Sequence, residues 1–277
     1  MTSKILRALV YVGAILTALV LAGIVGYILI NGIPHLKPSL FEWTYTSENV
    51  SLMPALIDTI LMALLALVLS VPTGVGAAIY LVEYARSSSR FVRAVRMTAE
   101  TLQGIPSIIY GLFGLLFFTT MLGWGLSLIS GACTLAIMVL PVVMRTTEEA
   151  LLAVPESYKQ GGFALGAGHV RTIFRCVLPS ALPGIVGGVL LALGRCVGEV
   201  AALLFTAGTV AQIPDFGGQG IFAIFDSCRT LAVHMYVLAS EGLHMDETYA
   251  TAVVLLILIV ILNMGANFAA KRLKRGM

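Results

Sequence analysis

Charge is what this chain has least of. Charged residues make up 11% of its 277 positions against 58% apolar ones, and the mean hydropathy is +0.97. That balance excludes a soluble domain folded around its own core, because such domains carry roughly a quarter charged residues, and it describes an integral membrane protein. Cys133, Cys176, Cys196 and Cys228 are the four cysteines, far apart and without a CxxC spacing. They give neither a metal site nor a disulfide framework. The four histidines include no HExxH. The chain has no Gly-Lys dipeptide, so it lacks the phosphate cradle of a P-loop and holds no ATPase of that kind. No nucleophile and base, and no cluster of metal ligands, fall at membrane depth, which argues against an intramembrane enzyme. A formal net charge of +3, spread along the chain, is no nucleic-acid footprint.

Long apolar runs dominate. Six spans are expected, near residues 8–30, 54–80, 105–122, 125–143, 180–205 and 248–268, in one membrane domain covering residues 1–277. Residues 105–143 are apolar almost without pause, yet as one helix they would extend about 58 Å, nearly twice a bilayer core of about 30 Å. The chain must therefore turn, and Gly123, Trp124 and Gly125 supply flexibility and an interfacial indole. The first run is too long for a signal-peptide core and is read as an uncleaved span. With the N-terminus inside, 14 of the 17 basic residues fall on cytoplasmic segments, including Arg86, Arg90, Arg93 and Arg96 and the tail Lys271, Arg272, Lys274 and Arg275. Only Lys37 and Arg229 lie outside, with Arg195 in the membrane. The positive-inside rule then places both termini in the cytoplasm and residues 211–247 in an outer loop with an amphipathic or re-entrant helix. The arginines at 86–96 are expected to fix orientation and to meet anionic lipid headgroups.

Arg195 and Glu199 stand in the fifth run. An arginine near the middle of a span costs roughly 2.5–3.5 kcal/mol on insertion scales, so it should face protein or water, with Glu199 one turn on as its partner. At about 100° per residue the pair shares an arc with Gly184, Gly187, Gly188, Gly194 and Gly198, and Gly184 and Gly188 have the spacing of a close helix contact. Two readings stay open: a structural ion pair between helices, or a polar lining for a translocation route, for which intramembrane ionisable pairs are the usual marker.

Residues 146–179 form the longest inner segment and mix apolar with polar residues at helical spacing; Phe163, Leu165 and Ile173 are apolar where solvent is expected. Gln160-Gly161-Gly162, three residues, Gly166, nine residues, then Cys176-Val177-Leu178-Pro179 resembles the Glu-Ala-Ala loop of ATP-binding-cassette importer permeases. Gly166, Leu178 and Pro179 match that motif; Gln160, Gly161 and Gly162 replace its Glu-Ala-Ala, and Cys176 its isoleucine. QGIPSIIYGLFGL at 103–115, GRCVGEVAALLFTAG at 194–208 and VHMYVLASEGLHMDETYATAVVLL at 233–256 are similar to phosphate-importer permeases, the last closest to the PstA type.

The resemblance implies an all-α, six-span permease of the type I importer architecture in the plasma (inner) membrane. It implies a sister permease (PstC-like), two cytoplasmic ATPases (PstB-like) that hold the ATP and magnesium, and an extracytoplasmic phosphate-binding protein (PstS-like). This chain would carry no cofactor, only a coupling loop, with Gly162, Leu165, Gly166, Leu178 and Pro179, that docks in a groove of the ATPase. Arg195 and Glu199 would line the path. A permease for sulfate or molybdate remains open, since an arginine recognises any of these oxyanions. A passive channel would leave the structured inner loop without a role.

Overall fold

The fold is described from a computed structural model covering residues 2–86 and 89–275. The side chains of Lys4, Lys271, Arg272, Lys274 and Arg275, and Met277 itself, on which part of the topology expectation rests, lie outside the described residues.

Every element among the described residues is helical. α1 (Thr2–Gly32) leads by two short 3-10 turns into α2 (Met53–Ile79), which continues as a π-helical turn through Tyr84. α3 (Arg90–Gln103) is amphipathic, and α4 (Ser107–Gly114) runs on as a π turn to Met121. α5 (Leu128–Leu152) is followed by α6 (Glu156–Ala164) and α7 (His169–Thr172), which joins α8 (Leu178–Val197) through a π turn. α9 (Ala201–Thr206), α10 (Leu231–Glu241) and α11 (Met245–Arg275) complete the chain.

Among the described residues, five segments are long and apolar enough to cross a membrane: Leu9–His35, Met53–Tyr84, Leu128–Leu152, His169–Val197 and Met245–Phe268. A sixth crossing arises only if Ser107–Met121 is taken with α3, from which it bends by 102°. Pro106 explains the bend: the residue before a proline is pushed out of the helical region, and the proline starts the next helix well. The turn expected at Gly123 and Gly125 is present, with φ of +70° and +66°, conformations that only glycine takes without strain.

Three expected boundaries move. The fourth span ends at Leu152 and not at 143, so the inner loop begins at residue 153 and not at 146. The carboxylates at 148 and 149 do not stop this helix, because they are paired with arginines, as described below. The fifth span starts at His169 and stops at Val197, where residues 180–205 were expected. Leu178 and Pro179 thus lie inside a helix and not in a loop, and Pro183 sits mid-helix and not in a first turn. The break at 198–200 has a local cause. Gly198 ends α8 with φ −90° and ψ 0°, and Glu199 then turns its carboxylate onto the next helix.

The core lies between α2, α5 and α8, with Met62, Ala66, Leu135, Met138, Val139, Ala192 and Cys196 buried. α1 stays outside that core, with most of its apolar side chains from Leu9 to Ile30 exposed. Gly184 and Gly188 form the close contact with α5 that their spacing implies. A β-carbon on Gly184 would lie 2.6 Å from Ala150 Cβ, and one on Gly188 would collide with Thr146. Gly187, one position away, has nothing within 4 Å of the same point. Gly188→Ala is therefore expected to lower the thermal unfolding midpoint of the purified subunit by overpacking, at about 1–3 kcal/mol. Gly187→Ala should leave it unchanged or raise it slightly, since alanine is the better helix former. Equal midpoints for the two variants would refute this packing account.

Candidate functional site

The break after α8 organises the site. α4 crosses it closely: a β-carbon on Gly111 would come within 2.8 Å of Ala202 Cα, and one on Gly114 within 2.6 Å of Thr206 Cγ2. These two glycines let α4 and α9 pack tightly. Tyr110 on α4 donates its hydroxyl hydrogen bond to the Leu102 carbonyl at 2.8 Å, bracing the bend, and lies within electrostatic reach of Arg195.

Glu199 does not pair with Arg195. Among the described residues no ion pair within 4.0 Å joins them; Glu199 Oε1 accepts the backbone N–H of Ala202 at 3.2 Å. It satisfies one of the orphan donors at the start of α9, which is the role of a cap. Arg195 makes no ion pair or side-chain hydrogen bond among the described residues and is half-buried. The glycine arc that carried both charges is divided in the structure. Gly184 and Gly188 are packed on α5, whereas Gly187 and Gly194 face open space and Leu191 beside them is 64% exposed. Arg195 stands on the border between the packed and open sides.

The inner segment is tied down at several points. Lys159 of α6 reaches Glu83, in the π turn ending α2, at 2.9 Å, and the Glu83 side chain is only 3% exposed. Gly162 packs on Thr172, where a β-carbon would come within 2.8 Å of its Cγ2. Gly166 has φ +78° and closes α6: its N–H donates to the Phe163 carbonyl at 2.9 Å and that of Ala167 to the Gly162 carbonyl at 3.1 Å. That pair of bonds is the Schellman ending, which calls for a left-handed residue at this position. Leu165, just before it, is 90% exposed.

A second polar cluster was not singled out from the sequence. Asp58, fully buried near the start of α2, accepts the Arg229 backbone N–H at 3.2 Å, and Thr59 Oγ1 accepts that of Leu231 at 2.7 Å. Two neighbouring side chains of α2 thus bind the backbone that leads into α10. Arg229 is 4% exposed, and its guanidinium carbon sits 4.9 Å from the centre of the Tyr45 ring. His234 packs edge-on against Tyr45, and burial, with the Arg229 charge second, pushes its pKa down to about 3, which keeps the imidazole neutral. The signal was available, because Asp58 is the lone carboxylate in residues 54–80. Asp58→Ala is expected to destabilise the fold by about 1–3 kcal/mol through stranded buried donors, and Asp58→Asn much less because an oxygen acceptor remains. Unfolding midpoints measured in detergent check this, and an Asp58→Ala variant as stable as the parent would contradict it.

A family model described as the binding-protein-dependent transport system inner membrane component matches residues 70–277, and the chain belongs to that family. The probable ABC transporter permease protein YqgI of Bacillus subtilis is 33% identical over 96% of this chain and 94% of its own. The phosphate transport system permease protein PstA 1 of Mycobacterium tuberculosis is 33% identical over 84% of this chain and 77% of its own. That of Haemophilus influenzae, PstA, is 35% identical over 74% and 73%. Among solved structures, a bacterial ABC transporter importing the acidic polysaccharide alginate superposes with a TM-score of 0.60 at 16% identity, over 93% of this chain and 95% of that one. The MetNI methionine ABC transporter gives 0.58 at 23%, over 80% and 92%. The fold is that of ABC importer permeases, and the protein is a membrane component of such a transporter.

Proposed function

We propose that this permease conducts inorganic phosphate, driven by ATP hydrolysed on two cytoplasmic partner subunits and fed by an extracytoplasmic phosphate-binding protein, with a sister permease completing the path. The observation that carries the reading is Arg195: an unpaired guanidinium at the edge of an open, glycine-lined helix face, next to a helix break. A guanidinium stays charged at any physiological pH and offers a bidentate fork that fits an oxyanion. An open face at membrane depth needs a second wall, which the sister permease supplies. The PstA relatives favour phosphate among the oxyanions.

The test is uptake by the reconstituted importer with labelled phosphate and competing sulfate or molybdate. Phosphate uptake that excess sulfate and molybdate leave unchanged supports the assignment. Uptake suppressed by either in preference to unlabelled phosphate moves the chain to another oxyanion.

A further inference from the structure

We propose that α3 is a docking surface for anionic phospholipid headgroups, held by Arg86, Arg90 and Arg93. The four arginines expected to act alike do not share one environment. Arg96 turns inward and pairs with Glu148 of α5 at 2.5 Å, with Glu148 8% exposed. Val92 and Ala99, on the same side of the helix, are buried at 1% and 8% exposure. Together they fix the rotation of α3 about its axis. Arg90, Arg93 and Met97, at spacings of three and four, are consequently turned outward. Arg86, Arg90 and Arg93 are all exposed and make no ion pair within 4.0 Å among the described residues.

Geometry places that face at the bilayer surface. α3 bends by 102° from Ser107–Met121, the other arm of the sixth candidate crossing, so with that arm along the membrane normal α3 runs along the membrane plane. The bend is pinned on both sides: Tyr110 bonds back to Leu102, and Gln103 Nε2 donates to the Pro141 carbonyl at 3.1 Å. Near these three arginines in the chain are exposed apolar and aromatic side chains, Tyr80 at 52%, Tyr84 at 49%, Phe91 at 62% and Met97 at 59%. Cationic residues interleaved with such side chains are the composition of an interfacial helix, in which rings enter the headgroup boundary and guanidinium groups meet phosphate. The cytoplasmic side, where the basic residues of this chain concentrate, is also the leaflet rich in anionic lipid. Charge and position select a lipid over an apolar protein groove.

The experiment titrates fluorescent phosphatidylglycerol, and phosphatidylcholine as its zwitterionic control, against the purified importer complex in mild detergent at increasing salt. The wild-type complex is expected to prefer phosphatidylglycerol, with a preference that salt weakens. The R86Q/R90Q/R93Q variant should bind it on the order of a hundredfold more weakly, because each basic residue near a membrane surface contributes a factor of about five. The R86K/R90K/R93K variant should retain binding, because charge and not fork geometry is required. Unchanged phosphatidylglycerol binding by the glutamine variant overturns the proposal. So does loss of the ATPase subunits from that variant with lipid binding intact, which would make α3 a protein contact. If the glutamine variant does not assemble, a photoactivatable phosphatidylglycerol on the wild-type complex decides: labelling concentrated on residues 86–97 supports the proposal, and labelling elsewhere refutes it.

Discussion

Arg195→Gln is expected to abolish phosphate uptake while the complex still assembles. A phosphate entering the membrane sheds part of its hydration, and the loss must be offset by fixed charge and donors in the wall it passes. Arg195 has these to offer because no carboxylate or carbonyl among the described residues occupies its guanidinium. Removing one member of such a charged contact costs about 2–5 kcal/mol, a fall in transport of roughly thirtyfold to several thousandfold. Arg195→Lys keeps the charge but loses the planar fork, so a fraction of the rate should remain. Glu199 now has a separate prediction within the same experiment. As the cap of α9 it is needed for its acceptor oxygen more than for its charge, so Glu199→Gln should transport nearly as well as the parent, and Glu199→Ala worse. Uptake rates with subunit stoichiometry measured in parallel separate the cases. Normal uptake by Arg195→Gln would place the path elsewhere, and loss of assembly alone would return Arg195 to a structural role.

The sequence carried the broad class of this fold through hydropathy alone, since spans must be apolar and helical where no water satisfies the backbone. Glycine spacing carried the α5 to α8 contact at Gly184 and Gly188, because a close approach leaves no room for a β-carbon. Hydropathy could not show where a helix stops. Thr146 and Leu152 belong to α5 although Arg145, Glu148 and Glu149 in this stretch are charged, because Glu148 and Arg145 find partners on α3 at 2.5 and 2.6 Å. Sequence spacing also misled at Glu199. One turn from Arg195 it faces the arginine on an ideal helix, but Gly198 ends the helix between them, and the carboxylate goes to the unsatisfied N–H of Ala202. Asp58 and Arg229 were hidden for a different reason. Their contact joins residues 171 positions apart, and no local period marks such a meeting.

Leu165→Asp is expected to uncouple the permease from its ATPases without unfolding it. Of the residues that resemble a coupling loop, Leu165 is the large apolar side chain left in solvent, 90% exposed, with Phe163 at 46%, Val170 at 58% and Phe174 at 53% nearby in the chain; Ile173, expected to be exposed with them, is instead buried at 1%. A partner groove accounts for these exposed apolar side chains, since solvent alone gives no reason for them. The anchoring matters as much as the exposure. The Lys159 to Glu83 pair ties α6 to the end of α2, and the Tyr84 and His169 rings, 5.1 Å apart, tie the start of the fifth span to the same turn. A push on α6 would therefore be delivered to two spans at once. A carboxylate at position 165 would have to be desolvated in the groove, enough to weaken ATPase association by more than tenfold at about 2–4 kcal/mol. The fold should not notice, because the side chain touches little in this chain. Gly166→Glu makes an instructive companion: nothing lies within 4 Å of its β-carbon point, but φ is +78°, so that variant acts by straining the end of α6, at about 1–2 kcal/mol. Co-purification of the ATPase with each variant, together with uptake, reads the result. Full ATPase retention and full uptake in Leu165→Asp would show that the exposed leucine meets no partner.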